Sequence, residues 1–276
     1  MTLKASDFDP AASEALPPKV KKFGPLQGLI LVAGMMLTSL LGSMFVGIFW
    51  GIHIAALDRQ KHLKPLHHLV KHLAATAPPQ MIALSALAGS FLSILWVFAY
   101  ILYKAGPLLT LGGAQGIAWK SAKPRGYLVA FFLSLLALLC VLVGTKLYPP
   151  DVKNLTGPLQ QLGALPGLSH LVLILLAVLI APIVEELTFR GALLASLARR
   201  YSTTTAVTWT TLIFVALHAP DKIHYWPGFI DVGILALFAA YVRLKYDSLR
   251  PAMLLHFCYN GSLLFLSGLA PYLAHH

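Results

Sequence analysis

The sequence is short of charge, and above all of acidic charge. Only 11% of its 276 residues are Asp, Glu, Lys or Arg, and only 10 residues are acidic, whereas an ordinary soluble domain has about 25% charged residues. At the same time 58% of the residues are hydrophobic, which is more apolar surface than a soluble fold of this length can bury. A lipid bilayer accepts that surface, and each helix that crosses it needs roughly 20 mostly apolar residues. The composition therefore excludes an ordinary soluble protein and predicts an integral membrane protein.

Cysteine is scarce as well. Cys140 and Cys258 both lie inside apolar runs, and neither has the spacing of metal ligands or of a disulfide framework. The net charge of +11 is high enough to raise the question of nucleic-acid binding, but the basic residues form short clusters between apolar runs rather than one basic face. Such clusters beside membrane spans are typical of topology control and contact with anionic lipid. We therefore predict the lipid bilayer as a partner and no nucleic acid.

Seven apolar stretches, one of them short, predict an all-α polytopic bundle of seven transmembrane helices, or eight if the fourth stretch breaks at Pro182. The stretches are 24–57, 80–103, 126–147, 168–196, 204–219, 227–245 and 249–273. We expect a cytoplasmic tail at 1–23, N-terminal transmembrane helices and loops at 24–164, and a separate membrane core at 165–276. The 58–79 loop holds four histidines and no thiol partner, and we interpret it as an interfacial segment rather than a metal site.

The distribution of Lys and Arg predicts the orientation, because cytoplasmic loops carry an excess of basic residues. With the N-terminus inside, 13 Lys and Arg lie in the inner segments and seven lie in the outer loops, while Arg190 lies within a span. The four basic residues of the 58–79 loop oppose this orientation. The larger inner count nevertheless favours a cytoplasmic N-terminus.

Ionisable side chains inside membrane spans are costly, so each needs a reason, and this chain concentrates them in its second half. In the segment EELTFR, Glu186 and Arg190 stand four residues apart with the acid first, and on a helix they are predicted to pair. Glu185 points about 100° away from Glu186 and is left without a local counter-charge. A carboxylate in that position is either paired across helices or kept for proton transfer.

Two further segments repeat the four-residue spacing. FVALH gives Phe214 and His218, and HFCYN gives His256 and Asn260, each pair on one helical face. If these helices pack against the one that bears Glu185, a carboxylate, two imidazoles and an amide converge. That set suits hydrolysis, because the carboxylate takes a proton from water and a histidine and an amide donate to the oxyanion. A lone intramembrane histidine is more often a helix–helix hydrogen-bonding residue, but three such clusters on three spans favour function.

The ordered segments EELTFR, FVALH and HFCYN resemble the three motifs of the CAAX protease and bacteriocin-processing family, which includes the Ras-converting enzymes, or type II CAAX prenyl endopeptidases. The pattern is a double glutamate followed by an arginine, then Phe-x-x-x-His, then His-x-x-x-Asn, and it covers roughly residues 165–270. The resemblance implies an intramembrane endopeptidase acting on membrane-associated protein or peptide substrates, with prenylated CAAX proteins as one class. It makes 165–276 the catalytic core, and we expect a bacterial plasma membrane as its location.

The family implies that four residues act in catalysis and that three support them. The catalytic residues are Glu185, which activates the water, His218, which positions it, and His256 with Asn260, which stabilise the oxyanion. The supporting residues are Glu186, Arg190 and Phe214.

The family has been described both as glutamate-type and as metal-dependent, and both mechanisms stay open for this sequence. A zinc site of Glu185, His218 and His256 would leave only Glu186 as the base. Glu186 is better placed to pair with Arg190, so we favour a glutamate-type enzyme without a cofactor. A zinc-dependent metalloendopeptidase is the alternative.

Two other classes of function stay open. Intramembrane groups such as Asp231 and Arg243 also occur in proton-coupled transporters, although the sequence shows no inverted repeat. A non-catalytic bacteriocin self-immunity or scaffold protein would keep the fold with an incomplete catalytic set, whereas the set here is complete. The protease motifs HExxH, GxGD and GxSG are absent from the sequence. No pattern predicts an oligomeric state.

Overall fold

The computed structural model describes residues 22–59, 79–150 and 167–273. Eight α-helices account for most of these residues, among which there is no β-strand. They are α1 (Pro25–Arg59), α2 (Pro79–Ala105), α3 (Pro124–Leu147), α4 (Gly167–Ala198), α5 (Thr203–Leu217), α6 (Ala219–Lys222), α7 (Pro227–Lys245) and α8 (Leu249–Leu273). A short 3-10 helix, Gly106–Leu108, follows α2. The predicted all-α bundle is confirmed.

Five helices within the described ranges are long and apolar enough to cross a bilayer. These spans are Pro25–Ile54, Gln80–Leu108, Pro124–Leu147, Gly167–Ala198 and Pro227–Lys245. The 15 residues of α5 extend about 22 Å, which falls short of the roughly 30 Å hydrocarbon core. The chain is therefore an integral, multi-pass membrane protein in which α5 is a short helix.

Three expectations fall on residues outside the described ranges. These are most of the 1–23 tail, most of the 58–79 loop and the boundary between 164 and 165. Where the chain is described, its two halves share one buried core, to which Leu31 of α1 and Leu193 of α4 both belong. Gly28 of α1 lies directly against Ser196 of α4, where there is no room for a side chain. The N-terminal helices therefore brace the helix that carries the two glutamates.

Close packing of α1 against α2 depends on small residues. A Cβ added at Gly42 would come within 2.5 Å of the Ala88 carbonyl oxygen, and one added at Gly89 would come within 2.7 Å of the Ser39 carbonyl oxygen. Glycine permits this close approach of two backbones, which is a common way for helices to associate in membranes. Large apolar side chains on the other faces of both helices are exposed, as expected of surfaces that face lipid.

The long helix α4 continues through Pro182 and does not divide into two. Two π-helical turns flank its central stretch, at Leu176–Ile180 and Leu187–Leu193. In the first turn the N–H of Ala181 donates to the Leu176 carbonyl, five residues back. In the same register residue 182 would donate to Ala177, but proline has no N–H. The Ala177 carbonyl is therefore left for a donor from another helix.

The connection between α2 and α3 closes one end of the bundle against the turn between α7 and α8. Arg243, which is fully buried, donates from Nη2 to the carbonyls of Gly113 at 2.9 Å and Gly116 at 2.6 Å. Lys120 Nζ donates to Asp247 at 2.6 Å. These two connections therefore lie on the same side of the bundle. Arg243, which was counted with the inner basic residues, is a buried anchor for the loop between α2 and α3.

Candidate active site

Glu186 lies at the centre of a buried polar cluster formed by α4 and α8. Its side chain is 0% exposed, and its Oε1 accepts hydrogen bonds from Arg190 Nη1 at 3.0 Å and from His256 Nδ1 at 2.9 Å. The bond to Arg190 is the one that the four-residue spacing predicts. The bond to His256 joins residues 70 apart in the sequence and was not predicted. Because a buried charge is tolerated only when it is paired and hydrogen-bonded, Glu186 is committed to these two partners.

The ring of Phe214 on α5 links Arg190 to both histidines. The Arg190 guanidinium carbon lies 4.1 Å from the ring centroid, a cation–π contact. The ring of His218 lies 4.5 Å away and that of His256 lies 6.3 Å away, centroid to centroid. Phe189 of α4 contacts Phe214 edge-on at 5.0 Å. Phe214, itself fully buried, thus sets the spacing between the arginine and the two imidazoles.

Glu185 differs from its neighbour in both exposure and partners. A quarter of its side chain, 25%, is exposed, and its Oε2 lies 3.9 Å from His256 Nε2. The two nitrogens of His256 therefore face two different carboxylates, with Glu186 hydrogen-bonded on one edge and Glu185 just beyond bonding distance on the other. Glu185 is the more exposed of the two carboxylates.

His218 caps the C-terminus of α5 and is held in one orientation. Its Nδ1 lies 2.8 Å from the Phe214 carbonyl oxygen. A carbonyl only accepts hydrogen bonds, so Nδ1 carries a proton and donates it. In the neutral ring this assignment leaves Nε2 as an acceptor. His218 is half-buried, so that Nε2 is available to accept from a water or another donor.

Asn260 lies one helical turn beyond His256 on α8 and reaches across to α4. Its Nδ2 donates to the Ala177 carbonyl at 2.9 Å, the same carbonyl that Pro182 leaves without a helical donor. The bond uses one of the two amide N–H groups. The other N–H can still donate, and the side-chain oxygen can still accept. The role of the Ala177 carbonyl was not predicted from the sequence, although Pro182 indicates a carbonyl without a helical donor about one turn earlier. Phe189 was also missed, although it stands inside the EELTFR segment.

Zinc requires three or four ligands around one point. Among the described residues no three His, Cys, Asp or Glu side chains are placed to hold a metal ion. Glu185 and His256 approach each other, but His218 does not join them as a third ligand. Among the described residues, the side chains as placed do not form the zinc site of Glu185, His218 and His256.

Two other intramembrane ionisable groups lie apart from this cluster. Arg243 bonds to the loop between α2 and α3, and Asp231 lines a cavity between α3 and α7. Neither has a hydrogen bond or an ion pair to Glu185, Glu186 or His256 within the part of the chain that the structure describes. The groups considered for a proton path therefore do not form one connected chain.

Residues 167–262 match the family model described as type II CAAX prenyl endopeptidase Rce1-like. The matched segment runs from the start of α4 into α8, and it contains every side chain of the cluster. No curated protein and no solved structure matches the chain.

Proposed function

We propose that this protein is an intramembrane endopeptidase of the CAAX type, because residues 167–262 match the family model of type II CAAX prenyl endopeptidases. It acts on membrane-associated proteins or peptides, and peptides with a prenylated C-terminal cysteine are the first substrate class to test. One observation carries the proposal. Glu185 is a partly exposed carboxylate 3.9 Å from a histidine, and it stands next to a buried glutamate that is already paired.

Glu185 is the general base in the proposed reaction. It takes one proton from a water molecule as the water oxygen bonds to the carbonyl carbon of the scissile peptide. The carbonyl electron pair moves onto oxygen and forms a tetrahedral oxyanion. The C–N bond then breaks, the carbonyl re-forms, and the protonated Glu185 returns its proton to the leaving amine. A positioned acid–base group of this kind contributes about 10²–10⁴ in rate.

The other side chains position the reacting groups. His218 accepts a hydrogen bond from the water at Nε2, which its Nδ1 bond to a backbone carbonyl supports. His256, when protonated on both nitrogens, donates to the oxyanion from Nε2 while Nδ1 stays on Glu186. Asn260 offers its second amide N–H to the same oxygen. Arg190 is a positioning residue that acts through Glu186.

We propose that the mechanism needs no metal. The distribution of donors supports this, because His256 is already placed between two carboxylates and His218 is not a third ligand beside them. Under the metallo-type alternative, Glu185 would be a ligand instead of the base.

Cleavage of matched peptides tests both proposals. Purified full-length protein in detergent is incubated with peptides of one sequence, farnesylated or unmodified at the cysteine, with and without a zinc chelator. Mass spectrometry of the products locates the cut. We expect cleavage of the farnesylated peptide that persists after exhaustive chelation. Absence of cleavage in every arm contradicts the protease, and activity lost to the chelator and restored by zinc alone establishes the metallo-type alternative.

We also propose that the N-terminus is cytoplasmic and that the membrane is a bacterial plasma membrane. The excess of Lys and Arg in the inner segments supports the orientation.

A further inference from the structure

A cavity of about 380 Å³ lies away from the proposed catalytic cluster, between α3 and α7. Its lining comes from the second half of α3, the first turns of α7 and the residues next to them, and it is almost wholly apolar. Tyr148 and Trp226 stand at one end, with their rings in edge contact at 5.0 Å. Leu139 stands at the other end, about 13 Å further along α3. The cavity is therefore elongated along the helices, in the direction in which lipid chains lie.

Asp231 is the one acidic residue of this lining. It is 9% exposed, and no residue within the described ranges gives it a hydrogen bond or an ion pair at bonding distance. A carboxylate in apolar surroundings is costly unless a donor or a cation meets it. The cavity thus presents a long apolar volume and one carboxylate without a bonded partner.

Lys222 supplies a positive charge near the same end of the cavity. Its aliphatic stem lies across the first turn of α7, where a Cβ added at Gly228 would come within 2.7 Å of Lys222 Cδ. Lys222 forms no ion pair with Asp231 at bonding distance within the described ranges. A basic side chain therefore packs on the first turn of α7, next to the lining residue Pro227. Tyr148 and Trp226 mark the level at which aromatic residues usually meet lipid headgroups.

We propose that this cavity binds one acyl chain of phosphatidylethanolamine, with the lipid ammonium on Asp231 and the lipid phosphate on Lys222. Phosphatidylethanolamine carries a phosphate and a hydrogen-bonding ammonium on one headgroup, which matches the two protein charges. Phosphatidylcholine has the same phosphate and chains, but its quaternary nitrogen has no N–H to donate. Phosphatidylglycerol has no cation to meet the carboxylate. The preference among the three lipids therefore reports on Asp231.

Two pairs of variants separate lipid binding from folding. A Cβ at Gly144, which lines the cavity, meets nothing within 4 Å, so Gly144→Leu adds a side chain to the lining at a position with open space. Gly47 of α1 is equally open, and Gly47→Leu is the matched control outside the cavity. Asp231→Asn removes the charge and keeps the size. Asp221→Asn makes the same change in α6, outside the lining.

Native mass spectrometry of the full-length protein, titrated in detergent with dioleoyl forms of the three lipids, counts the bound molecules. We expect the wild type and both control variants to bind phosphatidylethanolamine about tenfold more tightly than the other two lipids, the difference made by roughly 1.4 kcal/mol. Asp231→Asn should bind all three alike, and Gly144→Leu should bind none while melting like Gly47→Leu. Equal binding of the three lipids by the wild type, or an unchanged preference in Asp231→Asn, would overturn the proposal. So would undiminished binding by Gly144→Leu.

Discussion

Glu185 and Glu186 are neighbours in the chain, yet the bundle gives them different surroundings. Glu186 points into the contact between α4 and α8, where Arg190 and His256 satisfy its Oε1. Glu185 points about 100° away around the helix and keeps an exposed edge beside His256. One carboxylate is thereby held by two bonded partners, and its neighbour is the one proposed to transfer the proton.

Removing either member of the Glu186–Arg190 pair should destabilise the protein by about 3–5 kcal/mol, because each change leaves a buried charge without its partner. Glu186→Ala should cost more than Arg190→Ala, since it also removes the partner of His256. Unfolding in detergent, titrated with a denaturing surfactant and followed by circular dichroism, measures the loss. Lys120→Ala is the control. It breaks a surface ion pair whose side chains are 39% and 45% exposed, and such pairs contribute about 0–1 kcal/mol. Unfolding of all three variants at the same point would show that the buried pair is not structural.

At this scale the sequence predicts contacts within a helix and misses contacts between helices. The spacing of Glu186 and Arg190 predicts their pairing, because residues four apart share a helical face. The bond from His256 to Glu186 and the contact of Arg190 with Phe214 depend on how α4, α5 and α8 pack. No local pattern contains that information.

Glycine allows close helix packing at two contacts of α1, one with α2 and one with α4. Gly42 of α1 faces the backbone of α2 at Ala88, and the hairpin these helices form braces α4 through Gly28. The π-helical turn at Leu176–Ile180 of α4 lies next to Pro182. Pro182 cannot donate in the π-register, so Asn260 of α8 bonds to the Ala177 carbonyl instead. The sequence contains both signals, but only the packed structure shows which partner meets them.

Gly42→Val should separate α1 from α2 and destabilise the protein by about 1–3 kcal/mol, the usual cost of overpacking a well-packed contact. Gly47→Val on the same helix is the matched control, because a Cβ there meets nothing within 4 Å. Thermal unfolding in detergent, run on both variants, should show a lower midpoint for Gly42→Val alone. Equal midpoints would mean that the close contact at Gly42 does not hold the two helices together.

For the whole molecule, hydropathy predicts the helices well because burial in lipid is decided by the composition of a single window. It does not predict how the ends of the bundle are closed. In the sequence Arg243 is one of several basic residues at the end of an apolar stretch. In the structure it is buried and donates to the carbonyls of Gly113 and Gly116. The loop before α3 and the turn before α8 therefore meet on one side, while Tyr148 and Tyr225 meet on the other at 3.0 Å.

This arrangement places Lys123 and Lys146, at the two ends of α3, on opposite sides of the membrane. In a background with Cys140 and Cys258 replaced by Ser, Lys146→Cys should react with a membrane-impermeant maleimide added to intact bacterial cells. Lys123→Cys should react only after permeabilisation, because the N-terminus is proposed to be cytoplasmic. Labelling of both from the same side would contradict the spanning of α3. Labelling in the reverse order would contradict the orientation and leave the fold intact.

Glu185→Gln tests the central claim most directly. The change keeps the size and polarity of a partly exposed side chain that makes no hydrogen bond within the described residues, so the protein should fold and insert normally. The cleavage rate of the peptide cut by the wild type should fall by about 10²–10⁴, the contribution of a general base. The measurement is single-turnover cleavage in detergent by wild-type and variant protein with matching unfolding midpoints. A rate within a few-fold of the wild type would contradict the assignment of Glu185 as the base.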